Sequence, residues 1–207
     1  MGNRAVITTR HNFDNNGVGI YLHWNGGRDS VEAFLKYAKL RRLRSPDEDC
    51  YGWARLCQII GNYFGGGLSI GIDTVDQLDM DNWDNGVYLI KGWDVVGRKF
   101  FDGEEQYNYD METMLREIDE TQPAKDQLGE GFLSAKELSP SDIKIGDWVY
   151  VSDHTGHYSE HKVLGFGVDV VNGTDVTGVP YIGMYGEYHS RNINNYLLED
   201  TYRVARI

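Results

Sequence analysis

Gly17-Val-Gly-Ile-Tyr-Leu-His-Trp-Asn-Gly-Gly-Arg-Asp-Ser-Val-Glu-Ala-Phe-Leu-Lys-Tyr-Ala38 reads as a strand, a glycine turn and a helix in immediate succession. Asp29 stands three residues before Glu32, the spacing of a capping box, in which each carboxylate takes one of the helix's orphan N–H groups. Val31, Phe34, Leu35 and Ala38 share one helical face, so the spacing predicts a helix over 30–42 with an apolar stripe for a sheet to cover. His23 and Trp24 end the strand, where successive side chains leave on opposite faces if the strand persists.

On the N-terminal side, residues 4–10 read as a strand paired with 18–24 across a polar loop, 11–17, rich in turn formers. On the C-terminal side, Ser45-Pro46-Asp47-Glu48 carries three helix-start signals at once: a serine cap, a proline in the first turn and a glutamate three residues on. Cys50, Trp53, Cys57, Ile60 and Phe64 then recur at alternating spacings of three and four, the stripe of a core-facing helix that the Gly65 triplet stops. This pattern predicts buried, reduced thiols. Seven residues apart on a helix, the two cysteines lie about 10 Å apart along the axis, too far for a disulfide.

A short strand over 68–72 leads into an acidic loop over 73–85. Residues 87–90 and 93–101 form a second hairpin around Lys91-Gly92. Asp110 caps a third helix with Met111, Met114, Leu115 and Ile118 on one face, and Gln122-Pro123 ends it. From Ser141 onward the texture changes: residues 142–151 alternate, and short strands with glycine turns follow near 161–171, 179–185 and 201–206. Lys144-Ile-Gly-Asp-Trp-Val149 resembles the opening strand of SH3-like barrels. The expected organisation is α+β: an N-terminal domain over 1–122 with hairpins packed on two or three helices, a connector over 123–138, and a small SH3-like β-barrel over 139–207.

With 41% hydrophobic and 25% charged residues, the 207-residue chain has the composition of a soluble protein, without a run long enough to span a membrane. Its opening residues lack the apolar run of a secretory signal, and Val6 stands where a myristoylation motif needs Ser or Thr, so the expected compartment is the cytoplasm. The net charge of −12 is concentrated: residues 73–130 hold 16 Asp and Glu against 5 Lys and Arg, a local balance of −11. Such a chain is unsuited to coating nucleic acid without specificity, which needs cationic surface, and suited to meeting a basic protein or ribonucleoprotein. Asp73, Asp76, Asp79, Asp81 and Asp84 are the candidate docking charges, with Trp83 as an apolar anchor.

Two other sites compete. His23, Trp24, Asn25 and Arg28 surround a helix N-terminus, where free N–H groups and a cation can hold an anion such as a nucleotide phosphate. His154, His157, Glu160 and His161 are a candidate metal set for a hydrolase or nuclease. No helical zinc motif, EF-hand, Walker loop or dinucleotide fingerprint is present, a cysteine–histidine pair is disfavoured by the apolar stripe, and neither a catalytic residue nor a cofactor is assigned.

His23-Trp24-Asn25-Gly26 after a short hairpin resembles the His-Trp-Asp-Gly turn of uncharacterised small proteins of tailed phages, prophages and mobile elements. The likeness lies in the first half of the chain, and Asn25 departs from the acid of that pattern. The resemblance implies an accessory protein that inhibits a host defence system, in the manner of anti-CRISPR proteins, by covering a nucleic-acid-binding surface with an acidic face.

Overall fold

The computed structural model describes residues 2–66, 69–101, 103–152, 158–171, 174–182 and 202–206. The chain is mixed α+β and divides into two compact units, Met1–Gln127 and Leu128–Ile207. Among the described residues no helix is long and apolar enough to cross a membrane.

The first unit is built on a five-stranded sheet. Its strands are β1 (Ala5–Thr9), β2 (Val18–Leu22), β3 (Ile70–Thr74), β4 (Val87–Lys91) and β5 (Asp94–Lys99), in the order β3-β2-β1-β4-β5. Both expected hairpins are present, and they are fused: β1 pairs parallel with β4, Val6 opposite Val87 and Ile7 opposite Tyr88, while every other pairing is antiparallel. All of β1 and four of the five residues of β4 are buried. That explains why Ala5-Val-Ile-Thr-Thr9 and Val87-Tyr-Leu-Ile90 are continuous apolar or small runs without polar alternation, the pattern of strands covered on both faces.

The two faces are covered by different means. On one, Val6, Val87 and Leu89 form a small cluster under Phe13, Tyr21, Leu78 and Met80. Phe13 comes from α1 (Arg10–Asp14), a short helix in the loop expected to be irregular, started by the Thr9 hydroxyl accepting from the Asn12 N–H. The opposite face carries Ile7, Ile20, Leu22, Tyr88 and Ile90, all fully buried. It is left to three packed helices: α2 (Arg28–Leu40), α3 (Cys50–Tyr63) and α4 (Met111–Thr121). Burial of Val31, Phe34 and Leu35 on α2 contributes about 1.5–3 kcal/mol each.

The helix starts show where local signals were overridden. In α2 the cap is Gly27, two residues before the expected one, and Asp29 lies inside the first turn. The Asp29 carboxylate accepts the Ser30 N–H from within the turn, and the N–H of Arg28, the first helical residue, donates to the Gln106 carbonyl at 2.9 Å. In α3 the cap is Asp49, whose carboxylate accepts from the N–H groups of Tyr51 and Gly52. Ser45-Pro46 forms a preceding turn, closed by the Glu48 N–H on the Ser45 carbonyl at 3.0 Å.

That turn also sets which face of α3 is buried. The inward residues are Gly52, Leu56, Ile59 and Ile60. Cys50 is exposed and Cys57 only half-buried, so the expected buried thiols are not found, although burial still pushes the Cys57 thiol pKa up. Two apolar stripes run side by side on this helix. Gly52 selects between them because the Ser45–Pro46 backbone lies directly on it, where a Cβ would overlap the Ser45 carbonyl. The third helix, α4, follows its pattern: Asp110 caps it, Met114, Leu115 and Ile118 are buried, and Gln122 ends it.

The second unit holds α5 (Glu130–Leu133) and the strands β6 (Lys136–Leu138), β7 (Trp148–Ser152), β8 (Tyr158–Val171), β9 (Thr174–Ile182) and β10 (Tyr202–Arg206). They form a sheet in the order β6-β10-β7-β8-β9. Residues 136–138, expected in a connector, are an edge strand paired with β10. Among the described residues no ladder joins β6 to β9, so the sheet is open and the expected closed barrel is not formed by hydrogen bonding. Phe132 from α5, Ile143, Val149 and Val163 are buried in this unit.

Two glycines of α3 give opposite expectations. Gly52→Ala should lower stability by about 1–3 kcal/mol through overpacking against Ser45. Gly61→Ala, where an added Cβ meets only the Ile70 side chain at 3.8 Å, should raise it by about 0.5–1 kcal/mol because alanine is the better helix former. Urea denaturation of the two variants checks both signs.

Candidate functional site

Because β1 and β4 are parallel and their hairpin partners antiparallel, β1 and β4 begin where β2 and β5 finish. Four irregular segments therefore meet at one end of the sheet. The Asn85 N–H donates to the Arg4 carbonyl at 3.1 Å, and the Gly26 N–H to the Asn3 carbonyl at 2.8 Å. The Asn85 amide donates to Asn3 Oδ1, the Arg4 carbonyl and Gln106 Oε1. Gly26 is required here, since a Cβ would stand 2.7 Å from backbone atoms of Asn3, Arg4 and Ala5.

The segment 79–86 is wound around one side chain. Asn82, 1% exposed, accepts on its Oδ1 from the N–H groups of Asp84, Asn85 and Gly86, and its amide donates to the carbonyls of Asp79 and Gly86. Arg4 pins the same loop, with Nε 2.6 Å from Asp84 Oδ2 and Nη1 3.5 Å from Asp79 Oδ2. The hydrogen bond that Arg4 donates to Asp84, helped by the carboxylate's charge, raises the Arg4 guanidinium pKa further. What this loop presents is Trp83, 83% exposed and at φ 60°. A bulky residue in the left-handed region costs about 1–2 kcal/mol of backbone strain and persists only where its surroundings enforce it.

The five aspartates do not form one face. Asp84 is 7% exposed and turned inward onto Arg4, so it is not a docking charge. Asp73 is paired with Gly19 near the opposite end of the sheet, and the Asp76 N–H donates to Asn16 there. Hydrogen bonds from Thr74 and Asn16 hold the Asp76 carboxyl below its ordinary range. The chain then crosses the sheet face, a five-residue strand length of about 15 Å, with Leu78 and Met80 packed on it and Asp79 and Asp81 exposed. Of the expected docking set, Asp79, Asp81 and Trp83 are the members left exposed at the Arg4 end of the sheet.

The His-Trp-Asn-Gly turn lies at this same end. The strand stops at Leu22, so His23 and Trp24 do not diverge: both are exposed and their rings meet edge to face at 5.0 Å. His23 Nδ1 is 3.2 Å from the Tyr21 hydroxyl. Asn25 takes a left-handed backbone at φ 54°. The helix N-terminus beyond it is already filled. Arg28 Nε is 2.6 Å from Glu32, Nη1 is 3.1 Å from Glu105, and the guanidinium lies 5.9 Å over the Tyr88 ring. Asp29, 5% exposed, accepts the N–H groups of Ser30, Asn108 and Tyr109. The turn expected to take an anion thus anchors the 105–109 segment, which leaves Tyr107 and Tyr109 outward.

Of the candidate metal ligands, His154 and His157 lie outside the described residues. Glu160 and His161 are consecutive on β8, where side chains alternate between faces: Glu160 accepts from the Tyr150 hydroxyl, and His161 Nε2 is 2.7 Å from Ser159 Oγ. Among the described residues no cluster of three His, Cys, Asp or Glu is placed to hold a metal.

Of the residues that organise this end, Asn82 and Arg4 carry no distinguishing sequence signal, and Asp29 reads from spacing only as a helix cap. Asn82-Trp-Asp-Asn-Gly86 is dense in turn formers, a signal for a tight loop but not for which side chain sits at its centre. No family model, curated protein or solved structure matches the chain.

Asn82→Ala strips three N–H groups of their acceptor and should lower stability by about 2–4 kcal/mol. Trp83→Gly removes an exposed ring and relieves the left-handed strain, so it should leave stability unchanged or raise it by up to about 1 kcal/mol. Thermal denaturation followed by circular dichroism distinguishes the two.

Proposed function

We propose that the protein is a non-enzymatic binding protein that docks on a basic surface of another protein through the end of the first unit's sheet that carries Trp83. The observation behind this reading is that ring, exposed in solvent on a strained backbone held by a buried asparagine. Large exposed aromatics rimmed by polar groups mark interaction surfaces, and tryptophan dominates the energetics of such interfaces. Trp24, Tyr107 and Tyr109 add exposed aromatic area at the same end, and Asp79, Asp81 and Glu104 are exposed acids there. The resemblance of the His-Trp-Asn-Gly turn to phage and mobile-element proteins points to a host defence nuclease or effector as the target. Occupying its nucleic-acid-binding surface would inhibit it, as anti-CRISPR proteins do.

The nucleotide reading is weaker, because Arg28 and the α2 N-terminus are satisfied by Glu32, Glu105 and Gln106. For the second unit we propose the curvature of an SH3-like barrel. Its β8 strand has fourteen residues and register shifts near Gly165 and Gly167, and β9 approaches within 8 Å of the 140–142 turn that follows β6.

Purified protein titrated into cleavage reactions of a panel of RNA-guided nucleases should inhibit at least one, with inhibition weakening as salt rises. Asp79→Asn, Asp81→Asn and Trp83→Ala together should abolish inhibition. Asp73→Lys with Asp76→Lys, at the far end of the sheet, should leave it within about threefold. Equal loss from both sets would mean that bulk charge, not this surface, is responsible.

A further inference from the structure

We infer that the surface around Trp83 is built for arginine side chains, so that the segment it receives is arginine-rich rather than merely basic. This rests on the docking reading above and specifies the chemistry of the partner.

The protein's own arginines at this end of the sheet show the mode of recognition. The Arg98 guanidinium lies 4.3 Å over the Phe101 ring and 5.4 Å over Tyr88, with Nη1 3.8 Å from Glu105. Arg28 also approaches this ring, 5.9 Å from the Tyr88 centroid, and its Nη1 is 3.1 Å from Glu105. In both, a flat cation rests near an aromatic ring with a carboxylate within ion-pair distance; carboxylates take the N–H groups of Arg28, whereas those of Arg98 go to the carbonyls of Asn85 and Gly103. Lysine cannot reproduce this, since its ammonium is a compact, strongly hydrated point charge without a plane to stack or a fork of donors.

Trp83 and Asp81 offer the same two elements without an internal cation. Among the described residues neither the Trp83 ring nor the Asp81 carboxylate is engaged by a Lys or Arg. Asp79 spends one oxygen on Arg4 at 3.5 Å and remains half-exposed. Of the three aromatic side chains, tryptophan binds cations best, and the gain rises as the pair is desolvated. The rigid 79–86 loop holds the ring outward before a partner arrives, so little ordering is required on binding.

The test uses an arginine-only and a lysine-only peptide of equal length, titrated into the full chain and followed by tryptophan fluorescence and calorimetry. The arginine peptide should bind about tenfold more tightly, and Trp83→Ala should erase that preference while retaining weak, salt-sensitive binding of both peptides. Trp83→Phe should restore part of it. Because the ring is exposed, unchanged thermal denaturation of Trp83→Ala verifies that the fold is intact. Equal affinity for the two peptides would overturn the inference and leave docking by charge standing. Binding of neither would overturn the docking reading as well.

Discussion

The parallel pairing of β1 with β4 is the constraint from which the rest of the first unit follows. Antiparallel neighbours can be joined by a short turn, but parallel ones need a crossover, and here everything between Thr9 and Val87 makes that crossing. Inserting two antiparallel partners, β2 and β5, around the parallel pair aligns the starts of one pair with the finishes of the other. The polar loops at that end cannot be solvated independently, because β1 and β4 are buried on both faces up to their first residues. Their backbone groups must therefore be satisfied by one another, and Asn3, Arg4, Asn82, Asn85 and Gln106 do so in one connected set.

Such a set is costly where any member is missing and gives a defined shape where all are present. Arg4 shows the balance. Its guanidinium contacts both Asp79 and Asp84, so the cation in that loop belongs to the chain itself. Asp84 is thereby spent on folding. Asp29 repeats the theme on the other side of β1: one buried carboxylate, accepting from three backbone N–H groups, fastens the 105–109 segment over the start of α2. Residues that look like a ligand-binding turn in the sequence are the joints of this end of the sheet.

Local signals were legible and long-range ones were not. The cap, stripe and stop of α4 lie within a dozen residues of each other, and each was realised. Both hairpins were visible from alternation and turn chemistry, as was the α+β class. The α3 face was displaced because two equally spaced apolar stripes compete on that helix, and the choice falls to a backbone contact with Ser45 that spacing cannot encode. The α2 start lies two residues earlier than spacing suggests, and there Gln106, distant in sequence, accepts the Arg28 N–H. A run of aspartates looks uniformly solvated when read in one dimension. Which of them meets Arg4, 80 residues away, is decided only when β1 and β4 come together.

Electrostatics and strain then divide the work at this surface. Arg4, Arg28 and Arg98 are held by Asp84, Glu32 and Glu105, which leaves Asp79 only partly paired with Arg4 and Asp81, among the described residues, without a Lys or Arg partner. Exposed carboxylates act over a Debye length of about 8 Å at physiological salt and favour encounter and orientation more than tight binding. Affinity has to come from apolar area that is desolvated on contact, and Trp83 is the most exposed large ring in the described chain. Its left-handed backbone is unfavourable for the isolated loop. The five hydrogen bonds of Asn82 and the ion pairs of Arg4 outweigh that cost, so the stability of the buried network is what keeps the ring presented.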